Sequence, residues 1–108
     1  MKDEYLKQPG ESLDDFNHRT AFLNAAEEGA ASVYFNGLKQ VEMGLPDSAR
    51  EYHTQLERME EGNRAIYGID SRLVNGISDR RIDLRNRIDR AFGVTDAVDL
   101  GSFVKDSR

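Results

Sequence analysis

The sequence has no cysteine, no tryptophan, two prolines and two histidines. The missing cysteine excludes disulfides, thiolate nucleophiles and Cys-based zinc or iron–sulfur sites. No apolar run approaches the roughly 20 residues needed to cross a bilayer. The opening Met1-Lys2-Asp3-Glu4 leads into no apolar stretch of the secretory kind. The expected setting is soluble, free of the membrane and reducing: the cytoplasm or, for a viral protein, the infected cell or the virion. Strand signals are also missing, because Ile and Val are few and recur at helical spacing. There is no internal repeat, no low-complexity tract, no Gly-x-Ser-x-Gly and no glycine-rich phosphate loop followed by lysine.

What is present is charge and helical periodicity. The chain carries 20 Asp plus Glu against 15 Lys plus Arg, a net charge of −5. The imbalance is uneven: residues 1–61 hold 13 acids and 6 bases, net −7, whereas residues 62–108 hold 7 acids and 9 bases, net +2. Such a split can hold two halves of one chain together or pair one subunit with the next.

The chain reads as a flexible arm over 1–11, a single helical domain over 12–100 and a frayed tail over 101–108. Ser12 is the expected N-cap of the first helix, with Asp14 and Asp15 where the helix dipole favours negative charge. Leu13, Phe16, Leu23, Ala26, Ala30, Tyr34, Leu38 and Val41 recur mostly at three- and four-residue steps up to Gly44. Unbroken, this helix would have about 30 residues and a length of about 45 Å. Either it breaks near Gly29 or the molecule is elongated. A second helix is expected from Ser48, where Ser48-Ala49-Arg50-Glu51 fits a capping box. Its seam of Tyr52, Leu56, Met59, Asn63 and Ile66 runs towards Gly68. A third begins at Asp70 or Ser71, with a break allowed at Asn75-Gly76 and its main part from Ser78 to Phe92, before Gly93. Thr95 can cap a short fourth helix, Asp96 to Leu100. Short loops make consecutive helices antiparallel neighbours. The expected fold is therefore all-α: three main antiparallel helices and a short C-terminal one, in an elongated hairpin or bundle.

Chemistry is weakly signalled. His18 lies one turn from Asp14, and His53 lies near Glu51 and Glu57. In an antiparallel hairpin the two histidines fall roughly 30 Å apart along the axis. Both are expected to be solvated, as are the carboxylate pairs Glu27-Glu28 and Glu60-Glu61. No catalytic residue, metal or cofactor is assigned. Arg80, Arg81, Arg85 and Arg87 on the third helix suit a phosphate backbone. Asp79, Asp83 and Asp89 are interleaved with them, which favours a salt-bridged face instead. Gly29 and Gly37, with Val33 between them, form a small-residue stripe that suits close approach of another helix. Glycine inside a helix costs roughly 1 kcal/mol against alanine, so two on one stripe call for a reason.

The sequence is read as a non-enzymatic helical interaction or assembly module that associates with itself. Its interface residues are Gly29, Val33, Phe35, Gly37, Tyr52, Leu56, Met59 and Ile66, with Phe35 as the exposed contact. The alternative is a nucleic-acid-binding accessory protein, a small regulator or viral packaging factor, acting through the four arginines.

Overall fold

A computed structural model describes residues 3–93, and these form three α-helices: α1 (Leu13–Glu42), α2 (Pro46–Tyr67) and α3 (Arg72–Phe92). No strand occurs among the described residues. The expected short fourth helix and the tail over 101–108 lie outside them.

The Ser12 side chain accepts from the backbone N–H of Asp15 at 3.1 Å, and α1 then runs for 30 residues without a break at Gly29. It ends at Met43, and Gly44 turns the chain at φ 75°. α2 begins at Pro46, two residues ahead of the expected capping box. Proline at the first helical position has its φ already set and no N–H to satisfy. The helix therefore starts there without a side-chain cap, and Ser48 and Glu51 fall inside its first turns. Of the two starts the sequence allows for α3, Asp70 and Ser71, the structure takes Ser71, whose side chain accepts from the Val74 N–H at 3.2 Å. It runs unbroken through Asn75-Gly76 to Phe92. Leu73, Val74 and Ile77 are all buried on its inner face, and their packing outweighs the local turn preference.

Added to Gly37, a Cβ would meet Tyr52 at 3.2 Å, and one on Gly29 would meet Met59 at 3.5 Å. Moving down α1 thus moves up α2, so the two are antiparallel. Glu27 lies beside Arg80, Tyr34 bonds Asp83 and Gly37 abuts Leu84, so α3 runs parallel to α1. Leu23, Ala30, Ala49, Leu56, Leu73, Ile77, Leu84 and Ile88 form the core between the three helices. The molecule measures 60 × 27 × 16 Å and has a radius of gyration of 17.3 Å. A compact chain of this size would have one of about 13 Å. The cause is α1, whose first turns project past the end of α2 by about eight residues, or about 12 Å.

The segment before Ser12, expected to be a flexible arm, lies along that projection. Arg19 holds it with its guanidinium fork, donating to both carboxylate oxygens of Glu11 at 2.9 Å, to the Leu6 carbonyl at 3.0 Å and to the Glu4 carbonyl. The Glu11 carboxyl is thereby pulled down to about 2.

Candidate functional site

Two glutamates are almost completely buried, and each is held differently. Glu4, 5% exposed, reaches the start of α3 from the far end of the sequence. Its carboxylate accepts from the backbone N–H of Arg72 at 2.9 Å, from that of Leu73 at 3.1 Å and from the Ser71 hydroxyl. It thus adds a second cap to α3 beside Ser71 itself, where the helix dipole favours a negative charge. Burial pushes this carboxyl up, but the hydrogen bonds from Ser71, Leu73 and Arg72 together hold it below its ordinary value. The next residue, Tyr5, lies under the Arg72 guanidinium at 4.7 Å and donates its hydroxyl to Glu27 at 3.1 Å. Burial, followed by the Glu27 charge, raises the Tyr5 phenol to about 12.

Glu60, 3% exposed, sits on α2 between two guanidiniums, Arg64 one turn on and Arg81 on α3. The expectation of a solvated Glu60-Glu61 face is corrected for Glu60: its helix position points it at α3, and Glu61 alone stays exposed. Both oxygens of this carboxylate are engaged by arginine, which ties α2 to α3. His53 is corrected in the same way. It is 8% exposed on the α3 side of α2, and Glu57 lies 3.9 Å from its Nδ1. Its Nε2 is covered and has no hydrogen-bond partner among the described residues. Arg50, Glu57, Arg85 and Asp89 surround it. Burial pushes the ring below its ordinary value; the charge of Glu57 opposes that, and those of Arg85 and Arg81 add to it. His18, by contrast, is exposed, with Nδ1 3.0 Å from the Asp14 carbonyl of its own helix. Among the described residues no three carboxylate or imidazole groups converge as metal ligands. None of the helices they form is long and apolar enough to cross a membrane.

The four arginines expected to contact nucleic acid each face a carboxylate. Arg81 holds Glu60, Arg87 donates to Asp83 at 2.8 Å, Arg85 lies 3.5 Å from Asp89, and Arg80 lies 3.9 Å from Glu27. Two of these links, Arg81–Glu60 and Arg80–Glu27, join the acidic and basic parts of the sequence within one chain. Asp83 also accepts from the Tyr34 hydroxyl, which holds its carboxyl down and the phenol up.

The eight residues expected at a protein interface divide sharply. Leu56 and Gly37 are buried in the chain's own core, and Val33, Tyr52 and Met59 pack against that core. Gly29, half-buried, faces Met59. The small-residue stripe therefore serves contacts inside the chain: Gly29 faces α2, and Gly37 faces both α2 and α3. Only Phe35, 62% exposed, and Ile66, 71% exposed, offer large apolar surface to the outside.

They belong to two different places. Phe35 lines a cleft of about 700 Å³ between the last halves of α1 and α3, together with Leu38, Val41 and Ala91; Lys39, Glu42, Arg87 and Arg90 complete its walls. Ile66 lies at the opposite end. Gly29 faces Met59, so one heptad further along the same seam Ile66 comes level with Phe22, itself 71% exposed. Leu6, Leu13 and Ile69, each more than 60% exposed, belong to the same end of the molecule. Phe22 was missed in the sequence because the expected apolar stripe passes through its neighbour Leu23. The signal available was its seven-residue spacing from Gly29 on the seam facing α2. Comparison with known proteins finds no family model, no curated protein and no solved structure that matches this chain.

Proposed function

We propose that this protein is a non-enzymatic helical assembly module that pairs with a second copy of itself through the end of the bundle bearing Phe22 and Ile66. The observation that carries this reading is the exposure of two bulky apolar side chains, Phe22 and Ile66, which the Gly29–Met59 contact sets at one level of the α1–α2 pair. Scattered single apolar residues on a surface are ordinary, but several gathered at one end favour contact. Docking two copies through this end buries Phe22 and Ile66 of each against the other, an isologous arrangement that closes as a dimer. The arginines of α3 do not favour the nucleic-acid alternative, because each already has a carboxylate beside it and the net charge is negative.

Sedimentation of the full chain at tens of micromolar is the test. A dimer is expected, together with a monomer of unchanged helicity for Phe22→Asp combined with Ile66→Asp. A wild-type chain that stays monomeric over this range would overturn the proposal. Association unaffected by the double substitution would do so as well.

A further inference from the structure

The outer groove between α1 and α3 has two compartments. Glu27 and Gly76 line the first, Glu42 and Ala91 line the second, and Tyr34 bonds Asp83 between them, so one register of 49 positions holds along the groove. Among the described residues, α2 lines neither compartment. The Tyr34 hydroxyl, the Asp83 carboxylate and the Arg87 guanidinium bridge the middle. On one side of that bridge the chain fills the groove itself. The Tyr5 ring lies 4.7 Å from the Arg72 guanidinium with its hydroxyl on Glu27, and the Glu4 carboxylate next to it caps the start of α3. An aromatic ring beside an acid thus satisfies a groove that offers a guanidinium from α3, a carboxylate from α1 and apolar surface at Leu73.

The same elements recur on the other side. Arg90 comes from α3 and Glu42 from α1, with apolar surface at Leu38, Val41 and Ala91. Phe35 stands beside the bridge, its ring 5.3 Å from that of Tyr34 and tilted to it, yet it is 62% exposed. Tyr34 is tied to Asp83, so this aromatic wall is set before a ligand arrives, which lowers the cost of binding. Charge is not balanced here: three cations, Lys39, Arg87 and Arg90, meet two carboxylates, Glu42 in the cleft and Asp83 in the bridge.

We propose that this second compartment binds a segment of a partner protein in which a tyrosine adjoins an acidic residue. The tyrosine ring packs against Phe35 and Leu38 in a tilted or offset arrangement, and its hydroxyl donates to Glu42. The adjoining carboxylate lies beside Lys39 and Arg90 and cancels the surplus positive charge. A basic or purely apolar segment would leave that surplus unmet. The precedent is the chain's own Glu4-Tyr5 pair, and a cleft of about 700 Å³ admits such a pair with its flanking backbone. The arm itself stays at the first compartment, held by Arg19 and by the start of α3.

The probe is the peptide Asp-Glu-Tyr-Leu with blocked termini, a copy of residues 3–6, titrated into the isotope-labelled full chain and followed by amide chemical shifts. Saturable shifts are expected at Phe35, Lys39 and Ala91, with a Kd of about 1 mM. They should be lost with a peptide carrying alanine for tyrosine and weakened with one carrying amides for both acids. Phe35→Ala should abolish them and Arg90→Glu should weaken them; Phe35 is already exposed, so the three-helix core survives its loss. The proposal is overturned if no shift saturates, if the alanine peptide binds equally well, or if the shifts fall at Arg72, Leu73 and Gly76, which would mean that the peptide only displaces the arm. Shifts at Phe35 that change on dilution of the peptide-free chain also overturn it, by giving the cleft to a second copy. Binding is expected unchanged in the Phe22→Asp, Ile66→Asp chain, so failure here and failure of the self-association reading remain distinct results.

Discussion

α2 meets its two neighbours by different means. Against α1 it packs by shape: Gly37 lets Tyr52 approach within van der Waals range, and Gly29 accommodates Met59. Against α3 it adds charge, with Glu60 reaching Arg81 and His53 set among Arg50, Arg85, Glu57 and Asp89. The first contact depends on the absence of side-chain volume, so it resists salt and acid but not an added methyl group. The second depends on desolvated charge, so it tolerates modest changes in shape but not the loss of a partner. One helix face thus carries steric specificity and the other electrostatic specificity, and the two fail under different perturbations.

The largest effect is expected on the charged side. Arg81→Leu leaves the buried Glu60 carboxylate with Arg64 as its remaining cation and should cost about 3 kcal/mol in a denaturant titration. Glu60→Leu should cost less than about 1 kcal/mol, because Arg64 and Arg81 can both turn towards water. Equal losses in the two variants would break the comparison.

On the steric side, Gly37→Val should cost about 2 kcal/mol. A Cβ there lies 2.7 Å and 3.1 Å from the two methyls of the fully buried Leu84 on α3 and 3.2 Å from the Tyr52 Cβ on α2, so the added volume meets both neighbours of α1. Glu4→Ala strips the second cap from α3 and should cost about 1 to 2 kcal/mol. Gly62→Ala, where a Cβ meets nothing within 4 Å, should instead raise stability by about 0.5 to 1 kcal/mol. If Gly37 and Gly62 respond alike, close packing is not the reason for Gly37.

The smallest effect is expected from pH. Burial holds the His53 ring below its ordinary value of 6.5, so beneath that pH the unfolded chain takes up a proton that the native chain refuses. Stability is therefore full above 6.5 and falls as pH drops towards the lowered native value. His53→Phe should flatten this part of the profile. Glu4 and Asp83, both held below their ordinary values of 4.5 and 3.8, add further loss as the pH falls past those values. An unchanged slope between pH 7 and 5.5 in His53→Phe would remove the histidine from the account.

Much of the fold was legible in the sequence. Ser12 and Ser71 cap α1 and α3, Gly44 and Gly93 mark where helices stop, and the apolar spacing locates the core faces. The errors were local signals overruled by their surroundings. Ser48 and Glu51 form a valid capping box, but Pro46 starts the helix earlier. Asn75-Gly76 is a valid turn, but Leu73, Val74 and Ile77 are buried on either side of it. Glu60 and His53 looked solvated because charge and polarity set the expectation, whereas azimuth on the helix decides burial. Of the expected interface residues, Gly37 and Leu56 turned inwards because an apolar stripe does not specify which helix will cover it. Phe35 was legible as exposed because it lies off that stripe.

The sequence alone determined the all-α class, three main helices in their order and the cap at Ser12, and it narrowed the start of α3 to Asp70 or Ser71, because propensity, capping and periodicity act over a few residues. The tertiary structure decided the rest: that Gly37 admits Leu84, that Glu60 finds Arg81, and that Glu4 returns across 67 positions to the start of α3. These contacts join residues far apart in the chain, and their energy comes from close packing at Gly37 and from charge-assisted hydrogen bonds at Glu60 and Glu4, which exist only once the elements are assembled. No local pattern encodes that quantity until the helices have met.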